Sequence, residues 1–384
     1  MQMLFRLLSY ITHFIITLYL FIISFDKHLK LDNNLLVEVN TIMRIVGIGD
    51  LLIPASYIEK GFKPFKDAGW DLKLIDWKRK DIEELQNINL KIEQGGSEAF
   101  EVEDYIIDKI KDADVIITQF CPINKKVIDS CHNLKAVGVL RGGYENINVE
   151  YCTEKGIMVF NTPGRNANAV ADFTVAMILC EARNIARAHA LLKEGHWVKE
   201  YSNKDSVPDM CDKTVGIIGY GAIGKKVAQR LKAFDMHIIV YDPYLKDSDV
   251  ESVSLEELFE RSDFVTIHSR LTKENEKMVN YKLLSKMKPT AYFINMARSG
   301  LVDEDDLDRI LEEKKIAGAA IDVFEVEPPG KDYKFMRHDN VTVTPHMAGT
   351  TKDAFTYSPV LLCKAMYEVL INNGNSNYLL NGKV

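Results

Sequence analysis

Cysteine is scarce and scattered. The six residues Cys121, Cys131, Cys152, Cys180, Cys211 and Cys363 include no Cys-x-x-Cys pair. That spacing argues against a disulfide framework or a structural zinc site and suits a reducing compartment. Positive charge is in the minority: 48 Lys and Arg face 55 Asp and Glu, a formal net charge of −7. Binding nucleic acid by bulk electrostatics is thereby disfavoured, because neutralising phosphates takes clustered Lys and Arg. The 22 Gly and 11 Pro are too few for a collagenous or low-complexity chain. Small residues are missing from the start, where the first Gly is Gly47 and the first Ala is Ala55. What is present is 384 residues, 47% of them apolar. At ~100–200 residues per domain, that is enough for about two domains with buried cores.

One local run departs from these averages. Leu7–Phe25 carries no formal charge and lies between Arg6 and Asp26. At ~1.5 Å per residue, 19 residues could just cross a ~30 Å hydrocarbon layer. Three readings stand side by side. A cleaved signal peptide needs small residues at its cut, which are absent here. A membrane anchor is weakened by His13 and by Ser9, Thr12, Thr17 and Ser24, and its flanking Arg6, Lys27 and Lys30 give no clear orientation. The third reading places the start of the working protein at Met43, since Arg44-Ile-Val-Gly-Ile-Gly49 reads as the first strand of a globular domain. The remainder has the character of a cytoplasmic protein.

From Met43 onwards, short apolar strands alternate with amphipathic helical stretches, the pattern of parallel α/β architecture. Strands are expected at Arg44–Gly49, Asp71–Asp76, Val115–Gln119 and Leu134–Leu140. A second series covers Gly156–Asn161, Thr214–Gly219, His237–Asp242, Phe264–Ser269, Ala291–Met296, Gly318–Val323 and Val341–Thr344. Many are continuous Val/Ile/Phe runs, as strands buried on both faces require. Helices are expected at Lys225–Phe234, Leu255–Arg261 and Asp303–Lys314. The last has acids in its first turn and lysines at its end, which suits the helix dipole. Ala167–Trp197 reads as one long helix with apolar residues on more than one face, suited to packing on two sides or to a subunit interface.

The strand Thr214–Ile218 runs into Gly219-Tyr-Gly221-Ala222-Ile223-Gly224, a Gly-x-Gly-x-x-Gly with an apolar strand before it and a helix after it. In that setting Gly219 allows the tight turn and Gly221 lets backbone approach a pyrophosphate. Gly224 lets helix and strand pack closely, with the phosphates over the helix N-terminus. The next strand ends in Asp242, 18 residues beyond Gly224. A carboxylate there can accept from ribose hydroxyls and would repel a 2′-phosphate, so NAD is expected rather than NADP.

Three later strand ends carry polar groups: Asn295-Met-Ala-Arg-Ser-Gly300, Asp322-Val-Phe-Glu-Val-Glu-Pro328 and Thr344-Pro-His-Met-Ala-Gly349. Ligands of open α/β sheets bind at such ends. With the Gly-rich turn, and with Asn161-Thr-Pro-Gly and Ala169-Val-Ala-Asp172, they carry a resemblance. From about Met43 to its end the chain resembles the D-isomer-specific 2-hydroxyacid dehydrogenases, the group containing phosphoglycerate and glyoxylate/hydroxypyruvate reductases.

The resemblance implies two doubly wound parallel-sheet domains. A flavodoxin-like substrate domain (43–147, with a return over 346–384) would be interrupted by a Rossmann cofactor domain (148–345), after an N-terminal extension (1–42). It implies that Arg298 binds the substrate carboxylate and polarises the carbonyl, and that His346 is the general acid/base. Glu327 would hold His346, while Glu325 is not at the matching position. Asp322 would contact the nicotinamide carboxamide. Backbone at Ala222, Ile223, Met296, Ala297, Met347, Ala348 and Gly349, with the strand end near His268 and Thr272, would line the NAD. A homodimer through Ala167–Trp197 is implied, and no metal.

The chain departs from the family pattern in places. The substrate loop Arg141-Gly-Gly-Tyr-Glu-Asn-Ile-Asn148 is two residues shorter than the family's, although amides at Gly142, Gly143 and Tyr144 can still cradle a carboxylate. Ser299 stands where Gly is usual, and Arg270 where Pro is common. The 38 residues after His346 leave no room for a regulatory domain, so the short form is expected. The resemblance implies a small 2-hydroxy or 2-keto acid as substrate, with a sugar-acid or phosphonate-like substrate as a variant of that reading. The alternative is an NAD(H)-sensing interaction protein, corepressor-like, on the same fold, since fold alone does not settle function.

Overall fold

The computed structural model describes residues 42–246 and 248–382. The apolar run Leu7–Phe25 lies outside the described residues. Among the described residues no helix is long and apolar enough to cross a membrane.

Twelve strands form in the described residues, each β-label below numbered along the chain. The first five are β1 (Arg44–Gly49), β2 (Asp71–Asp76), β3 (Val115–Thr118), β4 (Ala136–Val139) and β5 (Met158–Phe160). They make a parallel sheet of order β2-β1-β3-β4-β5. Successive residues point to opposite faces, and both faces are covered. Ile45, Val115, Ile117 and Ala136 pack on one side; Val46, Ile48, Ile116, Val137 and Val139 pack on the other. That is why these segments read as unbroken apolar runs. The C-terminal helix Lys352–Leu370 returns to this sheet and buries Leu362, Cys363 and Met366 with Ile45 and Phe65.

The second sheet contains β6 (Thr214–Ile218), β7 (His237–Tyr241), β8 (Glu251–Ser252), β9 (Phe264–Ile267), β10 (Tyr292–Asn295), β11 (Gly318–Ile321) and β12 (Val341–Val343). Its order is β12-β11-β10-β9-β6-β7-β8. β6 has β7 on one side and β9 on the other, so the strand order reverses there and a crevice opens at the carboxyl ends. All pairings in both sheets are parallel.

Two expectations need correction. β5 pairs with β4, so the first sheet extends past 147, the expected boundary, to Phe160. The strand expected at Gly156–Asn161 forms as three residues, and its place in the first sheet is held by β4 and by the Asn381 side chain on the Val159 amide, which no local pattern announces. The expected single helix Ala167–Trp197 is two helices, Ala167–Ala182 and Ile185–Lys193. Between them Asn184 takes a left-handed conformation (φ 57°), which an α-helix cannot contain. The turn is locked from the side: the Arg187 guanidinium donates to Asn184 and to buried Glu181, and Asn184 donates to Asn203. The β8 strand was not foreseen either; its two residues are exposed and polar, and only pairing with β7 makes it a strand.

Candidate active site

At the reversal point of the second sheet, the turn after β6 is shaped by its glycines. Gly219 has φ 89°, and a Cβ there would meet the Ser269 amide at 2.9 Å. A Cβ on Gly224 would fall 2.2 Å from the Gly219 carbonyl oxygen, so strand and helix approach as closely as only glycine permits. A Cβ on Gly221 would meet nothing within 4 Å. The space above Gly221 is open.

The helix Ala222–Lys232 begins there with Gly221 as its cap, no side-chain cap and no acid in its first turn. Its first amides therefore stay unsatisfied and present a positive dipole end. Asp242 sits beside this turn, taking the Tyr220 amide on one oxygen at 2.8 Å and the Tyr244 amide on the other at 2.9 Å. An anion cradle beside a fixed, partly exposed carboxylate fits a dinucleotide.

His346 stands after β12 with φ 48°. Its Nδ1 lies 2.8 Å from Glu327 Oε2. The other Glu327 oxygen accepts the Phe324 amide at 3.0 Å, which fixes the carboxylate's orientation. The hydrogen bond from Glu327 raises the His346 pKa above the usual histidine value; burial and Arg298 oppose this, and the charges of Glu327 and Asp322 support it. Burial pushes the Glu327 carboxyl up. His346, the Phe324 amide and Arg298 together outweigh that and hold it below its ordinary value. Glu325, two residues away, faces Lys277 and Lys334. Arg298 follows β10, where Asn295 ties the turn by donating to the Arg298 carbonyl and accepting the Ala297 amide.

Asp322 follows β11. It is fully buried and accepts the Thr344 hydroxyl (2.6 Å), the Met347 amide (3.0 Å) and the Ala348 amide (2.9 Å). Three of about four acceptor sites on a carboxylate are thus filled by its own chain. Its effect is to hold the backbone on both sides of His346.

The remaining expected contacts divide. Met296 and Ala348 are buried, so only their backbone can border a ligand, whereas Met347 is exposed. Thr272 is exposed, its amide fixed by the Asn275 side chain at 2.7 Å. His268 Nδ1 is enclosed without a partner, and burial pushes its pKa down to about 3, so the ring is neutral. In the loop after β4, Asn161 donates to the Gly142 carbonyl at 2.7 Å. No hydrogen bond within the described residues takes up the amides of Gly142, Gly143 and Tyr144. Arg141 is turned inward onto Asn89, Glu93 and Glu145.

The two halves meet along Gly164–Asn166. A Cβ on Gly164 would stand 3.2 Å from the Ala222 Cβ, and one on Gly349 would strike the Asn166 amide nitrogen. Among the described residues no cluster of His, Cys, Asp and Glu could hold a metal.

Residues 175–348 match the family described as "D-isomer specific 2-hydroxyacid dehydrogenase, NAD binding domain". Residues 73–232 match the corresponding catalytic domain. The chain is 39% identical to the D-3-phosphoglycerate dehydrogenase of Methanocaldococcus jannaschii over 69% of its own length, and spans about half (51%) of that relative. It is 39% identical to the hydroxypyruvate reductase of Thermotoga maritima over 65% of its length and 83% of the relative's. Among solved structures, the NAD-complexed D-isomer specific 2-hydroxyacid dehydrogenase of Lactobacillus delbrueckii ssp. bulgaricus superposes with a TM-score of 0.69 at 21% identity, covering 88% of this chain and all of that one. At that identity the likeness concerns the fold.

Proposed function

Because the chain belongs to the D-isomer-specific 2-hydroxyacid dehydrogenases, we propose that it transfers a hydride between NAD and C2 of a D-2-hydroxy or 2-keto acid, with His346 as its acid/base. The observation that carries this reading is the 2.8 Å contact between His346 Nδ1 and Glu327. It leaves the opposite ring nitrogen, Nε2, without a partner among the described residues. NAD, which the Gly221 turn and Asp242 would hold, would supply the hydride acceptor or donor.

The rest follows from the protein's own groups. Oxidising a 2-hydroxy acid requires removal of the hydroxyl proton as hydride leaves C2, and the reverse direction returns it. An imidazole titrating near neutrality performs both tasks at Nε2. Glu327 fixes the ring and stabilises the imidazolium that forms. Arg298, close enough to act electrostatically on both, offers a planar fork for the carboxylate and carbonyl oxygens. The amides of Gly142, Gly143 and Tyr144, which no described residue takes up, would donate to the other side of the carboxylate. The working form is a homodimer. The helix Ile185–Lys193 buries none of its residues, and Ile185, Leu192 and Trp197 are exposed.

The test is oxidation of NADH by the purified protein with a panel of 2-keto acids including glyoxylate and hydroxypyruvate, beside His346→Gln. The substitution is expected to lower kcat by at least ~10²-fold. Equal rates would remove His346 from the chemistry. A protein that binds NADH yet reduces nothing would instead favour NAD(H) sensing.

A further inference from the structure

Buried side-chain polar atoms without a partner are few among the described residues, and most lie in one place. Of seven such atoms, five belong to Asp50 (Oδ2), Gln119 (Oε1 and Nε2), Asn146 (Oδ1) and Arg165 (Nη1). Gln119 and Asn146 are 1% and 0% exposed, Asp50 7%. Asp50 follows β1 and Gln119 follows β3, and the register Ile48↔Thr118 sets their strand ends side by side. Asn146 donates to the Gln119 carbonyl at 3.3 Å. Arg165 is near enough to Asp50 for each to act on the other's charge, yet they form no ion pair. Burial pushes the Asp50 carboxyl up to about 6.

Folded proteins rarely leave buried polar atoms unmet, and clusters of them point to a missing partner. The place is informative. β1 lies between β2 and β3, so this is the reversal point of the first sheet, where open α/β sheets take ligands. Arg165 also sits on the Gly164–Asn166 segment, between the first turn of the dinucleotide helix and the chain after His346. The segment that carries Arg165 therefore runs beside both the cofactor turn and the chain after His346.

We propose that Asp50, Gln119 and Arg165 form the subsite for substrate atoms beyond C2, and that this subsite selects a short polyhydroxylated chain of sugar-acid type. The inference rests on the 2-hydroxyacid reading of the His346 centre and extends it to a substrate class. Hydroxyls both donate and accept, so a diol can give to Asp50 and to Gln119 Oε1 while taking from Arg165 and Gln119 Nε2. An apolar tail would leave all these atoms unmet, and glyoxylate has no atoms to reach them. A phosphate is opposed by the Asp50 carboxylate. Arg141, which also acts on Arg165, is already paired with Glu93 and Glu145. Asp50 and Arg165 balance each other, which suits an uncharged tail.

The test compares 3,4-dihydroxy-2-oxobutanoate with 2-oxobutanoate, both of four carbons, beside 3-phosphohydroxypyruvate, using the full chain and NADH. The parent is expected to favour the dihydroxy acid over both by ~10²-fold or more in kcat/KM, as sites built to bond a hydroxyl do. Gln119→Leu and Arg165→Met should each cut the preference over 2-oxobutanoate at least ~10-fold. Gln119→Leu removes two unmet polar atoms at nearly constant shape, so its Tm without ligand should hold or rise; Arg165→Met serves as the independent variant. A parent preferring the apolar or the phosphorylated acid, or an unchanged ratio in both variants, overturns the subsite while leaving hydride transfer standing. Protection of the NADH complex against melting by D-erythronate is the readout that needs no turnover. Protection lost in both variants supports the subsite even if no 2-keto acid is reduced, in which case the dehydrogenase reading alone falls. Without protection or turnover in the parent, both fall.

Discussion

The buried carboxylate of Asp322 holds the Ala348 amide at 2.9 Å, and through the same side chain it fixes the backbone on both sides of His346. The acid/base is therefore positioned by β11 as well as by Glu327. His346 itself sits at φ 48°, a conformation that non-glycine residues keep only when the surroundings enforce it. Asp322→Ala should leave two backbone amides and a hydroxyl without an acceptor. A stability loss of ~1–3 kcal/mol per unmet buried group is expected in denaturant melts, with a fall in kcat. A variant with parental stability would show that these bonds do not hold the segment.

The pairing of His346 with Glu327 fixes the sign of the pH response. His346 titrates above the ordinary 6.5, chiefly because Glu327 bonds it, so its stabilising effect is complete below 6.5 and is lost as pH rises through the higher folded value. Glu327 titrates below 4.5, so its share is present above 4.5 and lost as pH falls through the lower folded value. The stability difference between the parent and Glu327→Gln should be largest between 4.5 and 6.5. Reduction needs protonated His346, so kcat/KM for a 2-keto acid should fall on the alkaline side with a midpoint above 6.5. In Glu327→Gln that midpoint moves down; an unmoved midpoint would detach Glu327 from the titration.

Asp242 is held at the rim of the Gly-rich turn by two backbone amides. Removing its charge removes an acceptor for ribose hydroxyls and a repulsion against a 2′-phosphate. Asp242→Ala is expected to reduce the preference for NADH over NADPH by at least ~10-fold, the scale of one hydrogen bond to a charged group. The ratio of kcat/KM values reads this directly, and a constant ratio would place the ribose elsewhere.

The exposed residues Ile185, Leu192 and Trp197 follow the break at Asn184. Light scattering after size exclusion should give twice the chain mass for the parent. Ile185→Glu with Leu192→Glu should shift the protein to monomer, since charges are depleted from interface cores. A monomeric parent would remove the homodimer.

Much of this was legible in the sequence because it depends on spacing along one strand–turn–helix. The glycines at 219, 221 and 224 and the carboxylate at 242 declare their geometry locally, as do the apolar strands buried on both faces. The resemblance also singled out Glu327 over Glu325, and the structure sets Glu327 against His346. Tertiary structure decided what depends on distant partners. β5 joins the first sheet because β4 and Asn381 hold it there, the helix after Ala167 breaks where Arg187, Asn184 and Asn203 lock a turn, and Asp322 turns inward because Thr344, Met347 and Ala348 reach it. The cluster of Asp50, Gln119 and Arg165 left no trace in the sequence for the same reason. Its members follow β1, follow β3 and lie beyond β5, and only sheet order brings polar atoms so far apart in the chain into one buried place.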